Sequence, residues 1–334
     1  MKAKQLWFID PGKVEIREHK LSSLAADEVL VKTKVSGISA GTEMLVYRGQ
    51  LPKNVALDVS IKAFEGLDGS YPLPYGYACV GFIKDTGSAL DKSIKGKKVF
   101  AFQPHASHFV CKLDQLIFLP EEISEEAGTF LANMETAVNF MIDGALQKQE
   151  KVAIIGMGVV GQLLNAVLNQ FPVNSVMAID AIKTRRDLAA KENLTSSYEP
   201  VDKELPESGE GFDLIFEISG NPEALNLAME LSNFAARIIV GSWYGNKSAK
   251  INLGGAFHRN RLKIISSQVS TISPEHVLEW TKEKRLKKAM DLILELNVEK
   301  YISHRFPFSQ ADKAYTLLDE EADKALQVIF TYED

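Results

Sequence analysis

Residues 151–164 read Lys-Val-Ala-Ile-Ile-Gly-Met-Gly-Val-Val-Gly-Gln-Leu-Leu, an apolar strand running straight into a G-x-G-x-x-G turn and then an apolar helix. The spacing gives each glycine a task. Gly156 permits the tight turn, Gly158 lets the backbone approach a pyrophosphate, and Gly161 lets helix and strand pack closely. Val159 and Val160 open the helix, whose positive N-terminus faces the phosphates. The next apolar strand ends at Asp180, 19 residues after Gly161, close to the distance expected of the acid that takes the ribose hydroxyls. An aspartate there repels a 2′-phosphate, which predicts NAD(H) as cofactor. Lys183, Arg185 and Arg186 follow closely and can neutralise a phosphate if they fold back, so NADP(H) stays open.

Around this motif the chain divides in character. The first third carries short β-branched runs bounded by breakers, at Val14–Arg17, Val29–Val35, Ala78–Ile83, Lys98–Phe102 and His108–Lys112, and reads as a β-rich barrel or sandwich. A helix is predicted over Glu125–Asp143, started by Ser124. Apolar strands then alternate with helical stretches, at Val152–Ile155, Ser175–Ile179, Asp213–Ile218, Arg237–Val240 and Lys263–Val269, the pattern of a parallel sheet covered on both faces. Helical stretches at Leu286–Leu296 and Ala311–Leu318 lead to a closing strand, Ala325–Tyr332. The fold class expected is α/β: a doubly wound Rossmann sheet over 125–270, inserted into a β-rich domain of 1–124 and 271–334. Ligands lie at the carboxyl ends of such parallel strands, so Ser219, Gly241 and Ser242 are expected against the cofactor.

With 334 residues the chain can bury a core without disulfides or a structural metal, and its two cysteines, Cys79 and Cys111, lack C-x-x-C spacing and signal neither. A net charge of −6 from interspersed charges argues against nucleic-acid or membrane partners. The N-terminus meets acidic and Pro-Gly residues before a signal core can form, and no long apolar run follows, so a cytoplasmic protein acting on a small molecule is expected.

Residues 36–43 (Ser-Gly-Ile-Ser-Ala-Gly-Thr-Glu), 47–49 (Tyr-Arg-Gly), 74–81 (Pro-Tyr-Gly-Tyr-Ala-Cys-Val-Gly), 96–99 (Gly-Lys-Lys-Val) and the fingerprint, in this order and spacing, resemble the medium-chain dehydrogenase/reductase superfamily, the alcohol dehydrogenase relatives. The resemblance covers essentially the whole chain and implies a GroES-like domain for the β-rich part. It implies that Thr42 contacts the substrate oxygen and relays its proton, that Thr136 lies against the nicotinamide, and that Arg185 stands near the adenine ribose. The family's late Gly-Arg motif is degraded here to Leu326-Gln327. A narrower combination, with Asn-Met-Glu-Thr-Ala-Val at 133–138 and Gly-Ser-Trp-Tyr-Gly at 241–245, is similar to the branch containing bacteriochlorophyllide dehydrogenase. Relatives pair through the sheet edge at Lys263–Val269, which implies a homodimer.

Against the zinc-using members, the expected ligand positions fall on Ala40 (or Ser39, if a one-residue insertion is placed differently), Tyr77 and Ala132. No catalytic zinc is therefore expected, since such a site needs about three protein ligands. A site rebuilt from His105, His108 and Glu135 is disfavoured, because strand side chains alternate in direction. Without zinc, side chains must protonate the substrate oxygen, or the substrate must already be activated. Thr42, Tyr77 at a former ligand position, and His105, whose ordinary pKa of about 6.5 suits proton exchange, are the candidates. Trp243 and Tyr244 are candidates for a substrate wall, and His258–Arg261 for a solvated basic loop. The leading expectation is a zinc-independent NAD(H)-dependent enzyme interconverting an alcohol and a carbonyl. A quinone or enone reductase, and a nucleotide-binding sensor or scaffold without turnover, are the alternatives.

Overall fold

The structure is a computed structural model that describes residues 1–52, 57–58, 60–200 and 211–333. The chain forms two compact units, Met1–Ala132 with Ile293–Asp334, and Asn133–Leu292. Both boundaries lie later in the chain than 124 and 270, for reasons that emerge from the helices at each crossing.

The first unit opens with a hairpin of β1 (Lys2–Asp10) and β2 (Lys13–Lys20). Strand β3 (Glu28–Ile38) alternates, burying Val29, Val31, Thr33 and Val35, and leads into helix α1 (Ala40–Tyr47). The short β4 (Leu73–Pro74) pairs with β1, and β5 (Cys79–Thr86), β6 (Lys98–Ala101), β7 (His108–Lys112) and β8 (Leu116–Phe118) follow. Next comes a break in the predicted long helix. It is two helices, α2 (Glu125–Gly128) and α3 (Leu131–Asp143), because the last turn of α2 tightens: the Thr129 N–H bonds to the Glu126 carbonyl at 3.1 Å and its hydroxyl to the same oxygen at 2.6 Å.

The second unit interleaves strands and helices: β9 (Lys151–Ile155), α4 (Val159–Leu168), β10 (Ser175–Ile179), α5 (Lys183–Ala189), β11 (Thr195–Tyr198), β12 (Phe212–Glu217), α6 (Ala224–Glu230), β13 (Ser232–Val240) and β14 (Lys263–Ser266) are described in it. All pairs are parallel in the order β11-β10-β9-β12-β13-β14, so the order reverses beside β9. This is the doubly wound sheet expected, with its ligand crevice at the reversal. Its core is aliphatic, with Ile155, Ile179, Ile215 and Ile238 almost wholly buried. Helix α7 (Lys282–Glu295) stays mostly with this unit through Arg285, a buried guanidinium. It bonds Glu135 at 2.9 and 3.1 Å, the Asn139 side chain at 2.5 Å, the Thr271 carbonyl at 3.0 Å and the Val269 carbonyl. Burial pushes the Glu135 carboxyl up, and Arg285 pulls it back down.

The chain returns to the first unit as β15 (Ile302–Pro307), α8 (Ala311–Glu320) and β16 (Gln327–Thr331). The larger sheet runs β15-β16-β3-β5-β6-β8, with β7 on β3, and β16 lies antiparallel to β3 with Phe330 opposite Ser36. Leu6, Phe8, Val46, Tyr75, Tyr315 and Phe330 form much of the core there. Among the described residues no helix is long and apolar enough to cross a membrane.

Arg285→Ala leaves the Glu135 carboxylate buried without its cation, a defect of about 3–5 kcal/mol. Differential scanning calorimetry should therefore show the unfolding midpoint of the variant lower by roughly 10 °C. A midpoint within about 2 °C of wild type would show that α7 is held by other contacts.

Candidate functional site

In the second unit the fingerprint builds a cradle. Gly156 has a φ of +106°, and a Cβ there would lie 2.6 Å from the Ser219 backbone, so only glycine makes the turn. A Cβ on Gly161 would lie 2.1 Å from the Gly156 carbonyl oxygen, which fixes the close strand-to-helix approach. At Gly158 the opposite holds: nothing lies within 4 Å of a Cβ built there. Gly158 is also the N-cap of α4 and offers no side-chain cap to the N–H groups of the first turn, where Val159 and Val160 stand. The result is open space before uncapped amides at a helix N-terminus, a setting suited to phosphate.

Asp180, just past the end of β10, accepts the Met157 N–H at 2.7 Å with one oxygen and the Ile182 N–H at 2.7 Å with the other. It therefore stands beside the glycine turn. The neighbouring bases are occupied. Arg186 donates to the Asp180 and Ala181 carbonyls at 2.7 and 2.9 Å and pairs with Glu199, while Lys183 pairs with Asp187 at 2.6 Å. Arg185 lies in the first turns of α5, its carbonyl accepting from Gln162 at 2.9 Å.

Ser219, Gly241 and Ser242 follow β12 and β13 at their carboxyl ends, and a carboxylate that sequence reasoning passed over arranges them. Glu217, wholly buried, accepts the Ser219 N–H at 2.9 Å and its hydroxyl with one oxygen, and the Tyr244 hydroxyl at 2.5 Å with the other. The Gly220 N–H donates to Ser242 at 2.9 Å. Tyr244 is thus held by Glu217, whereas Trp243 remains exposed. Thr136 sits half-buried on α3. The signal for Glu217 is an acid that follows the apolar run Leu214–Phe216.

In the first unit two layers meet at the start of α1. The outer layer is hydroxyl: the Tyr77 phenol donates to Ser39, and Thr42 lies 3.3 Å from the same phenol oxygen. All three residues are half-buried, and burial pushes the Tyr77 phenol up to about 12, so it holds its proton at neutral pH. The inner layer is fully buried and centres on the Glu43 carboxyl group. Glu43 accepts the Ser39 N–H at 2.8 Å with one oxygen, and His105 Nε2 at 3.0 Å and the Tyr315 hydroxyl at 2.5 Å meet the other. His105 Nδ1 lies 2.7 Å from the Ser36 hydroxyl, itself 2.8 Å from that of Tyr332. Gly76, with φ +109°, admits the imidazole, since a Cβ there would stand 2.4 Å from the ring. Thr42 and Tyr77 are therefore brought together, while His105 lies beneath them, without exposed surface.

These donors do not fit a zinc ion. Ser39 and Tyr77, at positions where ligands were sought, are neutral hydroxyls bonded to each other, and the third position is the Ala132 methyl. Both His105 nitrogens and both Glu43 oxygens already have partners. Of the remaining candidates, Glu135 binds Arg285, and burial with Lys84 and Lys32 nearby lowers His108 to about 4. Among the described residues, no group of three or more His, Cys, Asp or Glu is arranged to hold a metal.

No family model matches the chain. The starvation-sensing protein RspB of Escherichia coli K12 is 22% identical over 370 residues, covering 99% of this chain and 100% of that protein. A solved structure of rspB from E. coli CFT073 complexed with NADH matches with a TM-score of 0.79 at 19% identity, covering 99% of each chain. That of 2R,3R-butanediol dehydrogenase from Bacillus subtilis matches at 0.80 and 16%, covering 98% of this chain and 99% of the other. Over its full length the chain is thus similar, in sequence and in fold, to alcohol dehydrogenase-like proteins.

Proposed function

We propose that this chain is an NAD(H)-dependent oxidoreductase that interconverts an alcohol and a carbonyl by hydride transfer, without zinc. The observation that carries it is the Ser39–Tyr77–Thr42 hydroxyl cluster, which holds protons where zinc-using relatives hold a metal. The bound dinucleotide supplies or takes the hydride. The second unit is suited to hold it, with its pyrophosphate at Gly156, Gly158, Val159, Val160 and Gly161, its ribose at Asp180, Arg185 on the adenosine side, and Thr136, Ser219, Gly241 and Ser242 toward the nicotinamide. Relatives support the reading: one is a butanediol dehydrogenase and another was solved with NADH.

Thr42 and Tyr77 handle the substrate's proton. His105 acts through Glu43, holding the carboxylate that fixes the start of α1. A substrate panel followed by NADH absorbance tests the activity. Tyr77→Phe should lower turnover by about 10²-fold or more with NADH binding unchanged. Unchanged turnover would remove Tyr77 from the reaction, and hydride delivered to carbon conjugated with a carbonyl would make the enzyme an enone or quinone reductase instead.

The cofactor form follows from the ribose site. With Lys183 and Arg186 committed to Asp187 and Glu199, a 2′-phosphate would meet the Asp180 carboxylate without those two cations to neutralise it. NADH should exceed NADPH in kcat/KM by about tenfold or more, and Asp180→Ala should narrow that ratio. A wild-type preference for NADPH would overturn this assignment.

The expected homodimer would pair the β14 edges, where Ile264 is exposed. Analytical ultracentrifugation should give a dimer for wild type and a monomer for Ile264→Asp. A monomeric wild type would refute it. Cys79 and Cys111, buried and unpaired, suit a reducing cytoplasm.

A further inference from the structure

Ser39 occupies the N-cap of α1 and yet does not cap it. An N-cap serine ordinarily turns its hydroxyl onto an N–H of the first turn. Here only the Ser39 carbonyl serves the helix, accepting from Thr42 at 3.1 Å and Glu43 at 2.8 Å, and the hydroxyl makes no cap bond. That hydroxyl instead accepts from the Tyr77 phenol. A local rule broken in this way marks a group with another task.

Counting protons shows what the task is. Three hydroxyls carry three protons, but only two contacts join them, Tyr77 to Ser39 and Tyr77 to Thr42, so at least one O–H is left for an outside acceptor. The phenol, the strongest acid of the three, is the donor in the tight bond to Ser39. The phenol is the donor toward Thr42 as well, so the Ser39 O–H is not used within the cluster. Glu43 holds the same residue from the buried side through the Ser39 N–H at 2.8 Å, which anchors its backbone, while the Tyr77 contact holds its hydroxyl. Nearby, Gly41 is exposed, with nothing within 4 Å of a Cβ built on it, so the turn has open space over it.

We propose that Ser39 is a further catalytic residue, the hydroxyl that meets the substrate oxygen, with Tyr77 and Thr42 behind it as the proton supply and Glu43 as the positioning residue. The proposal rests on the alcohol and carbonyl reading above. In the reducing direction, a C–H bond forms from the hydride of the reduced nicotinamide to the carbonyl carbon, and the C=O π pair moves to oxygen. That oxygen takes the Ser39 proton, Ser39 takes the Tyr77 proton, Tyr77 takes the Thr42 proton, and water restores Thr42. The carbonyl is reduced to an alcohol, the nicotinamide is oxidised, and one proton leaves solvent.

The test is single-turnover reduction by the NADH-loaded enzyme, with the best carbonyl substrate of the panel, for wild type, Ser39→Ala and Ser39→Thr. Ser39→Ala should slow hydride transfer by about 10²-fold or more, on the scale of lost general acid catalysis, with the NADH Kd unchanged. Ser39→Thr, which keeps the hydroxyl, should recover most of the rate. Because no cap bond is lost, the unfolding midpoint of Ser39→Ala should stay within about 2 °C of wild type. A wild-type enzyme that turns over while Ser39→Ala stays within about threefold of its rate overturns the proposal and leaves the dehydrogenase reading standing. Full rate loss with a midpoint several degrees lower, unrescued by threonine, assigns Ser39 a structural role and also overturns it. A wild type that binds NADH but reduces no carbonyl removes the parent reading and this one with it.

Discussion

The first unit is organised around one buried carboxylate. Taking a carboxylate out of water costs several kcal/mol, and only well-aimed donors offset that. Glu43 finds three, and they come from distant parts of the chain: the Ser39 N–H at the start of its own helix, His105 in the loop before β7, and Tyr315 on α8, 272 residues on. A charge with these partners is satisfied only when the C-terminal return is in place. The same demand is met by the sheet, where β16 must enter beside β3 for Tyr332 to reach Ser36 and for Ser36 to reach His105. The splitting of this unit in sequence, around the inserted nucleotide unit, is therefore built into its polar core as well as its strand order.

The second unit repeats the device at a smaller scale. Glu217, buried at the end of β12, spends both oxygens on Ser219 and Tyr244, and so sets the two turns that follow β12 and β13. Satisfied buried networks specify geometry because any departure leaves a group unpaired in a medium of low dielectric. In each unit a buried carboxylate lies beneath a turn and fixes it.

How legible this was in the sequence follows from the range of each interaction. The glycine fingerprint, Asp180 and the alternating strands depend on neighbours within one strand-turn-helix, so spacing alone revealed them. The hairpin strand β1, with Lys and Gln between its apolar residues, and β15, with Pro307 at its end, carry too weak a pattern. The Glu125–Asp143 helix was read as continuous because the Thr129 hydroxyl's turn back to Glu126 leaves no mark on apolar periodicity. Arg285, which ties α7 to Glu135, is one cation among many in its stretch of sequence, so spacing alone does not locate the domain crossing. Glu43 was visible only as part of a motif, since its partners lie 62 and 272 residues away.

The placement of Ser39 shows what a hydroxyl site requires in place of a metal. A metal ion supplies several kcal/mol of charge stabilisation from one centre, whereas a hydrogen bond involving a charged group contributes about 1.5–3 kcal/mol net. A hydroxyl cluster approaches the metal's effect only if its donors are aimed beforehand, so that none of their energy goes into ordering them as charge develops. A surface turn of serine, alanine, glycine and threonine would not hold such aim by itself, least of all when its N-cap serine has left the helix uncapped. Glu43 supplies what the missing cap bond would have given: it fastens the Ser39 backbone from below and leaves the hydroxyl above it free for chemistry. The buried His105–Glu43 pair thus supports the turn without facing it, because it anchors the Ser39 backbone from below.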